Sequence, residues 1–167
     1  DVLVMGGGPA GSATATRLAR MGYRTTLLEK DHHPRFHIGE SLLPLSLPYL
    51  DDLGILPEVE AIGLRKYAAE FHSVYHGRHI TFPFGEAVRD DYPYAYEVRR
   101  AEFDELLFRN AGKHGVDLIE GCRVDQAQFE NGRLKSVSAL NDSGERISFH
   151  ARFFVDATGR DTFLADR

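Results

Sequence analysis

Three glycines near the start of the chain have the spacing Gly-x-Gly-x-x-Gly, which suits the binding of a pyrophosphate. They are Gly6, Gly8 and Gly11. The first glycine permits a tight turn, the second lets a phosphate approach the backbone, and the third lets a helix pack closely on a strand. A helix that begins here adds free N–H groups and a partial positive charge. Pro9 and Ala10 lie between the last two glycines and belong to the same loop.

Two short apolar strands frame this glycine run. Val2–Met5 precedes it and Thr25–Leu28 follows it, and Ser12–Arg20 between them has the pattern of a helix. Glu29 directly follows the second strand, where a carboxylate can accept hydrogen bonds from ribose hydroxyls. A strand, a glycine turn, a helix and a second strand with an acidic end together predict a dinucleotide-binding site.

The composition excludes several classes of protein. The chain has 167 residues, of which 43% are hydrophobic and 27% are charged, so a disordered tail or a coiled coil is excluded. A net charge of -5 argues against a general nucleic-acid-binding surface. No apolar run approaches the ~20 residues of a membrane span. The single cysteine, Cys122, suits a reducing compartment, so we expect a cytoplasmic protein.

The remaining pattern predicts an α/β chain. Helices are expected at Ser41–Leu53, Glu58–Ile62 and Ala101–His114. Strands are expected at Lys66–Tyr75, His79–Phe84, Val116–Ile119, Arg123–Phe129, Arg133–Leu140, Glu145–Phe149 and Phe153–Val155. Turns are expected at Gly77-Arg78 and Asn131-Gly132. Pro44 and Pro48 should break the first of these helices. The chain begins on an apolar strand at Asp1, without a Met, so we expect an N-terminal fragment of a longer chain.

Three segments resemble the p-hydroxybenzoate hydroxylase-like flavoproteins. Asp1–Lys30 resembles their FAD-binding start, Val98–Asp104 resembles a helix start whose arginine reaches the FAD, and Phe154–Gly159 resembles their second flavin-contacting segment. The resemblance implies a Rossmann-type FAD-binding parallel sheet with an inserted antiparallel β-sheet. Residues 1–167 would be a partial FAD-binding domain, with residues 63–97 part of an inserted substrate-side sheet.

A narrower resemblance lies in the loop Pro34–Pro44, which reads Pro-Arg-Phe-His-Ile-Gly-Glu-Ser-Leu-Leu-Pro. It is similar to the loop of the flavin-dependent halogenases, particularly the branch that acts on phenolic and carrier-tethered substrates. Prenyl reductases of this fold carry a cysteine- and glycine-rich sequence here, and aromatic hydroxylases typically lack the Gly-Glu-Ser-Leu run. Physically, Gly39 lets the backbone pass close to a flat ring, and Glu40 and Ser41 can cap the next helix. From spacing alone, a capped helix after a loop is the preferred interpretation, and the match of eleven residues in order favours the halogenase branch.

Lys66 is the candidate catalytic residue. Gly63–Phe71 is similar to the family segment that carries a catalytic lysine, with Ala68 where the family has glycine. The chain has four lysines and sixteen arginines, so a surface cation here could have been arginine. A guanidinium keeps its charge in proteins, whereas an amine can lose a proton. The alternative is a solvated lysine that begins a strand.

The resemblance also implies which residues contact the FAD. Glu29 would bind the ribose, Arg100 would reach a polar edge of the cofactor, Val124 would offer backbone groups to the adenine, and Asp156 would lie near the pyrophosphate. The other residues expected to contact the cofactor are Gly6, Gly8, Pro9, Ala10, Gly11, Lys30, Arg35, Gly39, Glu40, Ser41 and Gly159.

The histidines and tyrosines allow weaker inferences. His33 and His37 have a helical spacing, but a proline lies between them, and the other histidines lack a cysteine or paired acid at ligand spacing, so we expect no metal site. Tyr92, Tyr94 and Tyr96 alternate and would line one face of a strand. An aromatic substrate wall and a half-buried sheet face both remain open.

The halogenase resemblance implies FADH2-dependent halogenation of an electron-rich aromatic natural product. Reduced flavin and oxygen would give a C4a-hydroperoxide, which chloride or bromide attacks to form hypohalous acid. Lys66 would hold or capture that oxidant and direct it to a small aromatic or carrier-protein-tethered substrate. A separate flavin reductase would supply FADH2, since the chain has one dinucleotide fingerprint.

Two alternatives stay open. One is a related FAD-dependent monooxygenase or reductase, and the other is an FAD-holding fragment without activity. The second alternative rests on two family motifs that these residues lack, a Trp-x-Trp-x-Ile-Pro motif and a later Gly-Asp motif; the chain has no tryptophan. We therefore expect these 167 residues alone to be inactive.

Overall fold

The computed structural model of the chain describes residues 1–86 and 92–165. They form two compact units, Asp1–Phe36 with Asp104–Arg167, and His37–Phe103. We call the first the sheet unit and the second the insert unit, and each is described by itself.

The strands of the described residues are short, except for two that are nine residues long. In chain order they are β1 Val2–Met5, β2 Thr25–Leu28, β3 Leu64–Lys66, β4 Ala68–Ser73, β5 Arg78–Pro83, β6 Ala95–Glu97, β7 Asp117–Ile119, β8 Cys122–Glu130, β9 Arg133–Asn141, β10 Arg146–His150 and β11 Phe153–Asp156. The α-helices are α1 Pro9–Arg20, α2 Leu47–Asp52, α3 Leu56–Ile62 and α4 Arg100–Lys113.

A parallel sheet with the strand order β11-β1-β2-β7 forms the centre of the sheet unit. Every residue of β1 is buried, as its continuous apolar run predicts for a strand covered on both faces. On one face Val4 and Leu27 pack with Phe108 of α4, and on the other face Met5 packs with Val137 of β9. The predicted Rossmann-type parallel sheet is confirmed.

The second layer of the sheet unit is the antiparallel sheet β8-β9-β10. Asn131 and Gly132 connect β8 to β9 with positive φ angles of 50° and 73°. Two consecutive left-handed residues are the requirement of a type I′ hairpin turn, which explains the Asn-Gly pair. A β-bulge in β8 between Val124 and Gln126 leaves Asp125 as the extra residue, and its carboxylate binds the Arg146 guanidinium at 2.6 and 2.9 Å.

The insert unit contains two antiparallel strand pairs, β3 with β6 and β4 with β5. The described residues within 63–97 form these two pairs, and the assignment of this range to part of an inserted substrate-side sheet stays a prediction. Tyr67 separates β3 from β4. Residues 87–91, which the prediction included in this range, lie outside the described part of the chain.

Several predicted bounds shift by one to three residues. Helix α1 begins at Pro9 rather than Ser12, because proline at the first helical position has no N–H that would need a partner. The predicted helix over residues 41–53 is broken, as its prolines indicate, into a 3-10 turn at Pro44–Ser46 and the helix α2. Within residues 1–86 and 92–165, no helix combines the length and the apolar character needed to cross a membrane.

Candidate cofactor site and candidate catalytic lysine

The glycine loop connects β1 to α1 in the sheet unit. Gly6 has a φ of +104°, and its N–H donates to the Leu28 carbonyl at 2.8 Å. A Cβ on Gly11 would overlap the carbonyl oxygen of Gly6, so the close packing of helix on strand requires a glycine there. At Gly8, by contrast, a Cβ would meet only the Arg35 Nη2 atom, at 3.6 Å. Gly6 and Gly11 therefore serve the fold, and Gly8 keeps a surface open.

The N-terminus of α1 has the charge distribution of an anion site. Pro9 is its first residue, and its first turn holds no acidic side chain. Arg17 and Arg20 lie in the last turn, where they complement the negative end of the helix dipole. The partial positive charge at the N-terminus is thus left for a ligand such as a pyrophosphate.

A buried charge cluster lies beside the glycine loop. The Glu29 side chain is 4% exposed, and its Oε2 accepts hydrogen bonds from the Gly7 N–H at 2.6 Å and from Arg35 Nη2 at 3.3 Å. Arg35 Nη1 also donates to the fully buried Asp104 at 3.2 Å. The structure thus brings together three predicted cofactor residues, Gly8, Glu29 and Arg35. The sequence prediction missed Gly7 and Asp104, whose partners are far away along the chain.

The same cluster provides a test of whether the residues fit a dinucleotide. Arg35 Nε is buried and has no hydrogen-bond partner among the described residues. A buried donor without an acceptor is costly, and a phosphate oxygen is one of the acceptors that suit an arginine N–H. The guanidinium that carries this unsatisfied donor also reaches the open face of Gly8, since Arg35 Nη2 is the atom closest to that face. The residues therefore fit the pyrophosphate of an FAD.

A cavity of about 600 Å³ lies at the carboxyl end of β11. Its walls include Ala10, Asp156 and Gly159, which brings three further predicted residues together. The Asp156 carboxylate accepts hydrogen bonds from the Leu164 N–H at 2.7 Å and from Thr158, so it shapes the wall. Burial acts to raise the pKa of Asp156, but the hydrogen bonds from Leu164 and Thr158 outweigh it and hold that pKa below its usual range.

Two predicted cofactor residues of the sheet unit have other partners. The Lys30 ammonium donates to Asp161 at 2.5 Å, and this hydrogen bond lowers the pKa of the Asp161 carboxyl. Val124 is partly buried and packs against the cluster that contains Met5 and Val137. Their roles toward a cofactor stay predictions.

In the insert unit, the structure brings Arg100 onto the loop that carries Gly39. Arg100 Nη1 donates to the Ile38 carbonyl at 2.8 Å and lies 3.3 Å from the place of a Cβ on Gly39. Gly39 has a φ of +95°, so glycine is favoured there for its backbone conformation as well. Glu40 is joined to the strand that precedes α4, since its carbonyl accepts the Val98 N–H at 2.9 Å.

Lys66 lies on the face of β3 that also carries the Leu64 side chain. Its side chain is 20% exposed. Its ammonium donates to the Ser41 hydroxyl, lies 3.5 Å from Glu97 Oε2, and is 6.0 Å from the centre of the Phe84 ring. The structure therefore brings the candidate lysine to Ser41, a predicted residue, and to Glu97, which the sequence prediction missed.

The tyrosines lie on the opposite face of the β3–β6 pair. Arg65 donates to the Tyr96 hydroxyl at 3.2 Å and lies 4.3 Å from the centre of the Tyr94 ring. The hydrogen bond with Tyr96 raises the pKa of Arg65. Because neighbours along a strand point to opposite faces, Arg65 and its tyrosines are on the side away from Lys66. The arrangement favours the half-buried sheet face over a substrate wall beside the lysine.

The side chains that could bind a metal ion in this chain are those of its His, Cys, Asp and Glu residues. In the parts of the chain that the structure describes, His, Cys, Asp and Glu do not gather in a group of three that could hold a metal ion.

Comparison with known proteins places the chain among flavoproteins. The sequence profile of the FAD dependent oxidoreductases matches residues 1–165. A tryptophan 2-halogenase from Chondromyces crocatus is 39% identical over 165 residues, which are 98% of this chain and 31% of that protein. A 1H-pyrrole-2-carbonyl-[peptidyl-carrier protein] chlorinase from Pseudomonas fluorescens is 30% identical, over 100% of this chain and 41% of its own length.

A solved structure agrees with these relatives. The myxobacterial chondrochloren halogenase superposes with a TM-score of 0.89 at 40% identity, covering 97% of this chain and 38% of that one. The chain thus spans about a third of the length of curated relatives such as the tryptophan 2-halogenase. The resemblance to the flavin-dependent halogenases is confirmed, and the chain belongs to the FAD dependent oxidoreductase family.

Proposed function

We propose that the protein containing this chain is an FADH2-dependent halogenase that uses chloride or bromide as the halogen source to halogenate an electron-rich aromatic ring. The two curated relatives described above are named for tryptophan and for a carrier-tethered pyrrole. Indole and pyrrole rings share electron-rich carbon atoms, which react with electrophilic halogen. The proposed substrate class is therefore an electron-rich aromatic compound, either free or tethered to a carrier protein.

The sheet unit would hold the cofactor. The proposed contacts are the open backbone at Gly8, the N-terminus of α1 and the unsatisfied Nε of Arg35, which together offer hydrogen bonds and positive charge to a pyrophosphate. Bound reduced FAD would supply the electrons with which oxygen is activated toward the halide. The protein then has to orient the reactants and keep water out.

The proposed function depends chiefly on the surroundings of Lys66. All four lysines of the chain lie in the described residues, and Lys66 is the one that is partly buried, whereas the other three are exposed. A sheltered amine can act on hypohalous acid in two ways, by donating a hydrogen bond as an ammonium or by taking the halogen as a neutral amine. Either way holds the oxidant at one place, where it meets the substrate rather than the solvent.

The proposal includes two further elements. A separate flavin reductase would supply FADH2, and the enzyme would work in the cytoplasm. Both follow from the sequence alone, from the single dinucleotide fingerprint and from the single cysteine.

The test compares lysine variants of the full-length protein supplied with FADH2, oxygen and halide. Lys66→Ala should still bind FAD and consume oxygen but should lose substrate halogenation. Lys66→Arg should fail as well, because the planar guanidinium neither offers a neutral nitrogen nor places a compact charged donor where the ammonium lies. Lys135→Ala is the matched control, since that lysine is exposed on β9.

Two outcomes contradict the proposal. One is retained halogenation in Lys66→Ala, which would leave the amine without a role. The other is a wild-type enzyme that only hydroxylates or reduces its substrate, which would favour the related monooxygenases or reductases.

A further inference from the structure

Three neighbouring chain segments meet around Lys66 inside the insert unit. Strand β6 lies between β3 on one side and the segment Gly39–Leu42 on the other. The Leu42 N–H donates to the Tyr96 carbonyl at 2.9 Å, and the Val98 N–H donates to the Glu40 carbonyl at 2.9 Å. These two hydrogen bonds place Ser41 directly opposite Glu97 in an antiparallel bridge.

The register of the strands then brings two oxygen-bearing side chains to the lysine. Lys66 is paired with Ala95, and Leu64 is paired with Glu97, so Glu97 is the diagonal neighbour of Lys66 on the same face. Its carboxylate lies 3.5 Å from the ammonium, and the Ser41 hydroxyl accepts a hydrogen bond from that ammonium. The alternative interpretation, a solvated lysine that begins a strand, does not account for these two oxygen-bearing partners.

We infer that Ser41 and Glu97 are positioning residues that hold the Lys66 ammonium at a fixed place; this inference rests on the proposed function. An ammonium has three N–H donors. The Ser41 hydroxyl accepts one of these donors, and the Glu97 carboxylate lies 3.5 Å away as an ion-pair partner, which leaves donor capacity for a small oxidant. Of the two ways in which Lys66 could act, this arrangement favours hydrogen bonding to the oxidant.

The first experiment measures the chemical reactivity of Lys66 and needs no turnover. The full-length protein is treated with a small amine-selective acylating reagent at fixed pH, and the modification rate at Lys66 is followed by mass spectrometry, with Lys135 as the internal reference. Glu97→Gln should raise that rate about two- to fivefold, as expected for the loss of a partly exposed ion pair. Ser41→Ala should raise it as well, and Ser41→Thr should restore the wild-type rate because it keeps the hydroxyl.

Matched controls separate this effect from a general loosening of the insert unit. Glu70→Gln and Ser73→Ala change the same residue types on β4, and neither residue contacts Lys66 among the described hydrogen bonds. Both controls should leave the rate at Lys66 unchanged. Equal rates at Lys66 in the wild type, Glu97→Gln and Ser41→Ala would overturn the inference.

The second experiment measures how the oxidant is used. The halogenated product formed per oxygen consumed should fall about ten- to a hundredfold in Glu97→Gln, as expected for a misplaced reacting group. A diffusible scavenger of hypohalous acid should capture the difference. If the wild type does not halogenate, the proposed function fails while the acylation rates still decide the inference. If the wild type halogenates and Glu97→Gln keeps the wild-type ratio, the inference alone fails.

Discussion

Replacing Gly8 by alanine should weaken FAD binding while leaving the fold intact. The new Cβ would lie 3.6 Å from Arg35 Nη2, which is an ordinary van der Waals contact, and the φ of −75° at Gly8 suits any residue. The methyl group would instead stand where a phosphate has to approach the backbone. Loss of one charge-assisted hydrogen bond costs about 1.5–3 kcal/mol. Since 1.4 kcal/mol corresponds to a factor of about ten, the Kd for FAD should rise about ten- to a hundredfold.

The assay is equilibrium titration of FAD into the full-length protein, combined with urea unfolding without FAD. Gly85→Ala is the matched control, because its Cβ would also meet one neighbour at 3.6 Å, the Pro93 side chain. Both variants should unfold with nearly the wild-type free energy, and only Gly8→Ala should lose affinity. Gly8→Val should lose more, because its side chain is larger. A wild-type Kd in Gly8→Val would refute the assignment of this loop to the pyrophosphate.

Three further predictions concern stability and pH. Gly11→Ala should lower the free energy of unfolding by about 1–3 kcal/mol, because its Cβ would overlap the Gly6 carbonyl oxygen; urea titration measures this. The hydrogen bond and the charge of Asp142 raise the pKa of His32, so Asp142→Asn should return it toward 6.5 in an NMR titration. The stability that the His32–Asp142 pair contributes is fully present below the ordinary histidine pKa of 6.5 and is lost as the pH rises through the raised pKa of His32. Asp156 has a lowered pKa, so its contribution is present above about pH 4 and is lost as the pH falls through that pKa; the loss of Tm on acidification should therefore be smaller in Asp156→Asn.

The elements that hold the glycine loop were predictable from local patterns. Strands β1 and β2 have the predicted bounds, because burial on both faces of a parallel sheet leaves an uninterrupted apolar run. The Asn131-Gly132 turn was predictable because few residue pairs tolerate two left-handed conformations. The start of α1 was placed three residues late, since Pro9 was counted with the loop although proline suits the first helical position.

The side-chain contacts around Arg35 and Lys66 could not be predicted, because they join residues that are far apart along the chain and depend on how the strands pair. Arg35 binds Asp104, which is 69 positions further along the chain. Glu97 reaches Lys66 only because β3 pairs with β6 in one particular register, and a shift by one residue would turn Glu97 to the other face. The resemblance to halogenases pointed to Ser41 as a cofactor residue, whereas the structure adds its hydrogen bond to the lysine.

The short strand β6 has a consequence for local unfolding. It has three residues, and two backbone hydrogen bonds join the segment of Gly39 to its edge, one from the Leu42 N–H to the Tyr96 carbonyl and one from the Val98 N–H to the Glu40 carbonyl. A segment held by so few bonds opens as one cooperative unit at a free energy below that of global unfolding. The amides of Leu42 and Val98 should therefore exchange with solvent deuterium at similar rates. Each such opening would release the loop of Gly39 and the surroundings of Lys66 in the same event, so neither could fluctuate without the other.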